Sequence, residues 1–244
     1  MQRALPPVPV PSSSVTLEVV FVERPVNDPL LGSPLWNEMD QLAGIPAERR
    51  LSLSENGFRI GLCGTEPPPT LDALMAEVDD AAYDDDSGFL TGRRFVLRPG
   101  GCSEVQSSVE PRDWAVEVHR SGAVEAAELP KARGVFRIEL IAVEDGYAEL
   151  RLIPEIHHGS PRTKPTLADA GWRYETAQPV TMLSEASFLI RLSLGELFVL
   201  SADETAARRV GNQFFRREED GRLMQRVLVL RVGSIGREGE LAFR

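Results

Sequence analysis

The sequence predicts an α+β fold: a mixed α/β N-terminal half packed on a β-rich, mostly antiparallel C-terminal half. Three observations predict it. Residues 135–143 and 147–156 alternate apolar and polar side chains on either side of Glu144, Asp145 and Gly146, the pattern of a hairpin with one face on a core. Leu71, Leu74, Met75 and Val78 recur at i, i+3, i+4 and i+7, the spacing of an amphipathic helix. Val227, Leu228, Val229 and Leu230 are apolar on both faces of a strand, as in a central strand covered from two sides.

The hairpin also predicts its own register. A three-residue loop, Glu144 to Gly146, sets Leu140 opposite Leu150, Ile138 opposite Leu152 and Glu139 opposite Arg151. A two-residue turn with no other change would set Leu140 against Arg151, so the three-residue loop is expected. Phe136, Ile138, Leu140 and Ala142 then face inward, and the Glu139–Arg151 pair, worth about 0.2–1 kcal/mol, marks the register on the open face.

Along the chain, residues 15–23 read as a first strand, β-branched and mostly apolar. Ser33 and Pro34 start a helix carrying Leu35, Trp36, Met39 and Leu42, and Gly44 ends it. Residues 46–55 form a second helix stopped by Asn56 and Gly57, and residues 58–63 a second strand. Thr70 caps the third helix. Residues 93–98, 103–108, 114–119 and 123–129 read as further strands. After the hairpin, the polar stretch from His157 to Thr176 reads as a long loop. Strands follow at 178–182, 188–192, 197–201, 213–217 and 225–232, with tight turns at Gly195 and Gly221. The expected division is a Pro/Ser-rich tether over 1–14, a mixed α+β domain over 15–132 and a β-rich domain over 133–244.

A formal net charge of −10 opposes nucleic acid as a partner, since neutralising phosphates needs a basic face. Arg208, Arg209, Arg216 and Arg217 are the local exception, and they read as solvated arginines. No apolar run reaches the ~20 residues of a spanning helix. The N-terminus lacks the apolar core of a signal peptide, so the chain as written reads as cytoplasmic. Its proline-rich tether is of the kind that follows an export signal. A start placed too far downstream would make the protein periplasmic or outer-membrane-associated, with a lipid anchor.

No catalytic, cofactor-binding or metal-binding residue is selected by the sequence, and no cofactor is expected. The acidic residues between Asp79 and Asp86 lack the spacing of a cation loop and read as a solvated helix exit. His157 and His158 are adjacent, so on a strand they face opposite ways, and no carboxylate is read at ligand spacing from them. His119 lies at a strand end without an identifiable partner. Gly61 to Gly64 lacks the glycine spacing of a nucleophile elbow. Cys63 and Cys102 read as two buried thiols, with a disulfide between neighbouring strands as the alternative.

The C-terminal half resembles the secretin core domain, the pore-forming family of type II and type III secretion systems. The resemblance rests on an order of segments. A strand ends in Pro154-Glu155-Ile156 and a polar stretch follows. Then come the strand 188–192, the tight Leu194-Gly195-Glu196 connection, the segment 211–215 and the apolar closing strand 227–232. The N-terminal half, with residues 28–36 and 55–61, resembles a group of planctomycete proteins that carry a leader and a Pro-rich segment before the same block. The resemblance implies a non-enzymatic structural or assembly module of the cell envelope, with protein partners or self-association. Because the secretin Pro-Leu-Leu-Gly-x-Ile-Pro signature is missing, a monomer or small oligomer is expected rather than a ring. The alternative is a soluble ligand- or protein-binding module using the 157–176 loop as its lip.

Overall fold

A computed structural model describes residues 13–79, 90–144, 146–168, 171–203 and 208–237. Residues 1–12 of the expected tether and residues 80–86 of the acidic run lie outside the described residues. Strands dominate what is described, and every pairing between named strands is antiparallel. The α+β expectation therefore holds only coarsely: the protein is β-rich throughout.

Two sheets stack face to face. Sheet A has the order β2 (Phe58–Cys63), β12 (Leu197–Ala202), β14 (Arg222–Arg237), β1 (Ser13–Pro25), β3 (Leu90–Leu97), with β13 (Arg216–Glu219) also on β14. Sheet B has the order β10 (Val180–Met182), β7 (Tyr147–His157), β6 (Ala123–Glu144), β4 (Cys102–Gln106). There β11 (Phe188–Ser193) also pairs β7, and β5 (Arg112–Arg120) pairs the first part of β6. β8 (Arg162–Ala168) and β9 (Gly171–Ala177) form a hairpin of their own. Sheet A joins β1 to β14, so both halves of the chain build it, and the expected division after residue 132 falls inside β6.

The core lies between the sheets. Val15, Leu17, Val19 and Phe21 of β1 and Leu228, Leu230 and Val232 of β14 meet Phe136, Ile138 and Leu140 of β6 and Leu150 and Leu152 of β7. The opposite face of sheet A is covered by helices. Leu35 and Trp36 of α1 (Ser33–Asn37) and Leu71 and Leu74 of α3 (Pro69–Asp79) pack with Val22, Val199, Val227 and Val229. β14 is thus central and buried on both faces, as its sequence predicts. At one end, α2 (Ala47–Glu55) and α4 (Val210–Phe215) fill the gap between the sheets, and Phe58, Phe136, Phe214 and Phe215 meet there at 5.2–6.5 Å between ring centres.

Several local expectations change. The central hairpin has the expected pairs Leu140–Leu150, Ile138–Leu152 and Glu139–Arg151, but it closes at Glu144–Tyr147. The loop is therefore one residue shorter than expected, and a bulge between Leu140 and Ala142 absorbs the difference. The bulge turns Val143, not Ala142, toward the core. The first helix stops at Asn37. Beyond it Asp40 pairs with Leu62 of β2 in both directions at 2.9 Å, and its side chain accepts the Leu42 N–H at 2.8 Å. Sheet pairing and a local side-chain turn together outcompete helix extension. Thr70 does not cap α3. It lies inside the first turn, and its N–H donates to Glu38 Oε2 at 3.0 Å. Of the strand expected over 213–217, residues 213–215 belong instead to α4, and Arg216 and Arg217 open β13. Gly211 lets α4 touch the Gly57 carbonyl so closely that a Cβ there would sit 1.9 Å from it. The expected loop from His157 to Thr176 contains β8 and β9.

One buried ionic cluster joins the ends of β1, β13 and β14. Glu23 is 2% exposed and accepts from Arg217 and, at 3.2 Å, from Arg226. Arg226 also donates to the Ser107 carbonyl at 2.9 Å and stacks over Phe21 at 4.9 Å. Burial pulls the Arg226 pKa down, and Glu23 opposes that shift. Replacing Glu23 by Ala leaves the buried Arg226 guanidinium without its carboxylate and leaves Arg217 with Glu219 alone. We expect a loss of about 3–5 kcal/mol in urea unfolding, as for other broken buried pairs. Leu150→Ala and Ile138→Ala, both fully buried, are each expected to cost about 2–5 kcal/mol by the same measurement; an unmoved midpoint would place those faces outside the core.

Candidate functional site

The residues best arranged for chemistry lie on the outer face of sheet B, the face turned away from sheet A. Strand alternation selects them. On β7, Leu150, Leu152 and Ile156 face the core, so Arg151, Ile153, Glu155 and His157 face outward. On β6, Arg133, Val135, Arg137 and Glu139 share that face, paired with His157, Glu155, Ile153 and Arg151 in turn. β4 adds Glu104 and Gln106, opposite Arg137 and Val135.

Three of these converge. One ligand atom each from Glu104, Glu155 and His157 lies within 4.8 Å of the other two. Glu155 is 4% and His157 6% exposed, and Glu104 is open to solvent. His157 Nε2 and Glu155 Oε2 are 3.0 Å apart. His157 Nδ1 faces Arg133 Nη2 at 3.5 Å, while Arg133 Nη1 donates to Gln106 Oε1 at 3.0 Å. Gln106 in turn donates to the carbonyls of Ser108 and Val109. The two carboxylates come from strands separated by β6. They approach on a diagonal across β6: Glu155 lies opposite Val135, and Glu104 lies opposite the next residue on that face, Arg137, which pairs with Glu139 at 3.1 Å.

The sequence reading missed this cluster. Its local signal was present: Glu155 and His157 stand two residues apart on a strand and therefore share a face. Glu104 had no local signal, because only the β4–β6–β7 pairing brings it near. His158 does face away from His157, and its Nε2 lies 3.1 Å from Thr181 Oγ1. His119 is held through its backbone, exchanging hydrogen bonds with the Asn56 side chain at 3.0 and 3.1 Å. Gly61 packs against Met39. The four arginines do not form an open basic patch. Arg217 pairs with Glu23 and Glu219, Arg216 donates to Gln225 Oε1, Arg209 donates to the Ser54 carbonyl, and Arg208 lies 4.0 Å from Glu117.

The outer edge of sheet B is a second feature. β10 and β11 follow one another along β7, and among the described residues no strand pairs with their far side. Val180, Met182 and Leu189 there are 45%, 46% and 42% exposed. A separate depression of about 430 Å³ lies beside α2 and β2, bordered by Arg50, Phe58, Arg59 and Asp203. Its Arg59 is committed, stacked over Trp36 at 4.7 Å and donating to Gln41 at 3.2 Å. Among the described residues, no helix is long and apolar enough to cross a membrane.

No protein-family model matches the chain, and no curated protein matches it. Among solved structures it is similar to PilQ, the secretin of the V. cholerae type IV competence pilus, determined by cryo-electron microscopy. The identity is 10% and the TM-score 0.25, over 91% of this chain and 60% of that one. The chain thus spans less than two thirds of that secretin. Similarity at this level is secretin-like at most and carries no functional argument. Nothing in these comparisons bears on the planctomycete resemblance.

The cysteines are both free: Cys63 is buried in sheet A, and Cys102, expected to be buried, is exposed on β4 of sheet B. Burial pushes the Cys63 thiol up to about 11. At pH 8 an aromatic disulfide reagent should therefore label Cys102 in the folded protein and reach Cys63 only after denaturation. Rapid labelling of both thiols in the folded state would contradict the burial of Cys63.

Proposed function

We propose that this protein is a non-enzymatic assembly module of the cell envelope that associates through the free edge of sheet B. The observation that carries the reading is β11. Phe188, Ile190 and Leu192 anchor it in the core, and Leu189 points out from an unpaired edge. An edge strand with exposed apolar side chains is a template for strand addition. Arg191 is the charge that tempers this edge, and it is tied to Glu149 at 3.2 Å. The secretin-like order of segments supports placing the module at the envelope. The burial of β14 on both faces supports a small oligomer, since a barrel strand alternates lipid-facing and lumen-facing residues.

A second reading has its own observation. β8 and β9 pair only with each other among the described strands. A hairpin standing outside both sheets, beside the end of β7, suits recognition of a different protein. Light scattering over a range of protein concentrations separates the two. The assembly reading expects a monomer–dimer equilibrium that Leu189→Lys and Met182→Lys shift toward monomer. A species that stays monomeric at every concentration favours the hairpin reading, and a ring of a dozen or so subunits would overturn the small-oligomer assignment.

A further inference from the structure

We propose that Glu104, Glu155 and His157 form a binding site for a divalent transition-metal cation. The argument begins with charge. Glu155 is almost fully buried, and the one hydrogen-bond partner of its side chain among the described residues is His157. Glu104 contributes a second carboxylate within 4.8 Å. The cation of this cluster, Arg133, gives one nitrogen to Gln106 and turns another toward the imidazole, and among the described residues its buried Nε has no hydrogen-bond partner. Arg137, opposite Glu104 in register, pairs instead with Glu139 at 3.1 Å. Among the described residues, two carboxylates and an imidazole thus converge on one point with no guanidinium hydrogen-bonded to either carboxylate. Buried carboxylates are normally paired or bound to metal.

The geometry fits an ion. Ligand bonds of about 2.0–2.2 Å in a tetrahedral site place ligand atoms roughly 3.4 Å apart. The glutamate and histidine atoms are already at 3.0 Å, and the third ligand is within reach. One nitrogen and two oxygens suit Zn²⁺ or a neighbouring first-row ion, whereas Ca²⁺ and Mg²⁺ prefer oxygen alone. Binding through Nε2 moves the imidazole proton to Nδ1, which must then turn from Arg133, a donor itself, toward an acceptor. The Gln106 bond keeps the guanidinium anchored as its contact with His157 is released. Three protein ligands leave a fourth position for water or for a side chain of a docked partner. The exposed Glu104 is the entrance. Because the ligands come from β4 and β7, the ion would pin edge strand β4 to the centre of sheet B.

The test uses the full chain after treatment with a chelator. Calorimetric titration with Zn²⁺ should give saturable one-to-one binding, with a rise in melting temperature that Mg²⁺ and Ca²⁺ do not reproduce. Co²⁺ should give a visible spectrum of low coordination with nitrogen and oxygen ligands. Glu104→Gln changes only an exposed side chain and should weaken Zn²⁺ binding at least tenfold without lowering the melting temperature of the metal-free protein. His157→Ala should abolish the Co²⁺ spectrum; if that variant does not fold, Glu104→Gln decides alone. Absence of saturable binding, unchanged affinity in Glu104→Gln, or equal binding of Ca²⁺ would overturn the assignment.

Discussion

The fold depends on burying β14 on both faces. Val227 and Val229 face the helices, while Leu228, Leu230 and Val232 face the second sheet. A strand of that composition has no stable place at an edge or on a surface, because either face left open would expose contiguous apolar area to water. It must lie at the centre of a sheet that is covered twice. That requirement brings in β1 on one side and β12 and β13 on the other, joining chain segments some two hundred residues apart. It also requires α1 and α3 as a lid on one face and sheet B on the other. The layered order of helices, sheet and sheet follows from this one strand.

Sheet B is different because only one of its faces is needed for the core. The first part of β7 alternates buried and less buried residues, whereas its last six, Leu152 to His157, are all buried. Several polar groups that enter the interior are matched. Gln225, 3% exposed, donates to Ser201 Oγ at 3.0 Å and accepts from Arg216, and Glu23 holds two arginines. These networks sit at the end of sheet A where β13 pairs with β14. The outer face of sheet B mixes buried Val135, Ile153, Glu155 and His157 with half-buried Arg137 and Glu139 and exposed Arg151.

What the sequence made legible was whatever depends on local periodicity. The first strand, the second helix, the central hairpin and the closing strand all come from alternation or helical spacing within one segment. The hairpin shows how such reasoning can be right by compensation. The side-chain pairing from Leu140 to Leu150 was fixed by the need to match apolar with apolar. The loop was not, because a bulge at Ile141 satisfies the same pairing with a shorter turn. α1 failed for a nonlocal reason: Asp40 finds a backbone partner on β2, which no window around residue 40 contains. α4 failed similarly, since its place depends on Gly211 meeting Gly57 across the sandwich.

The cluster on sheet B follows the same rule and explains why function is harder to read than fold. Half of it is local. A Glu-x-His step on a strand puts two ligands on one face, and the sequence shows it as soon as 155–157 is taken as a strand end and not as the lip of a loop. The other half requires knowing that β4 lies two strands away from β7, and that Arg137, opposite Glu104 on the strand between them, pairs with Glu139. Val135 stands opposite Glu155 and Gln106, so the β6 residue beside the buried carboxylate is apolar, while Arg137 stands opposite Glu104. The site is therefore defined by the register of β6 as much as by the three side chains that carry its chemistry. Register of this kind is invisible to motif reading, because it is set by pairing between strands and not by spacing along any one of them.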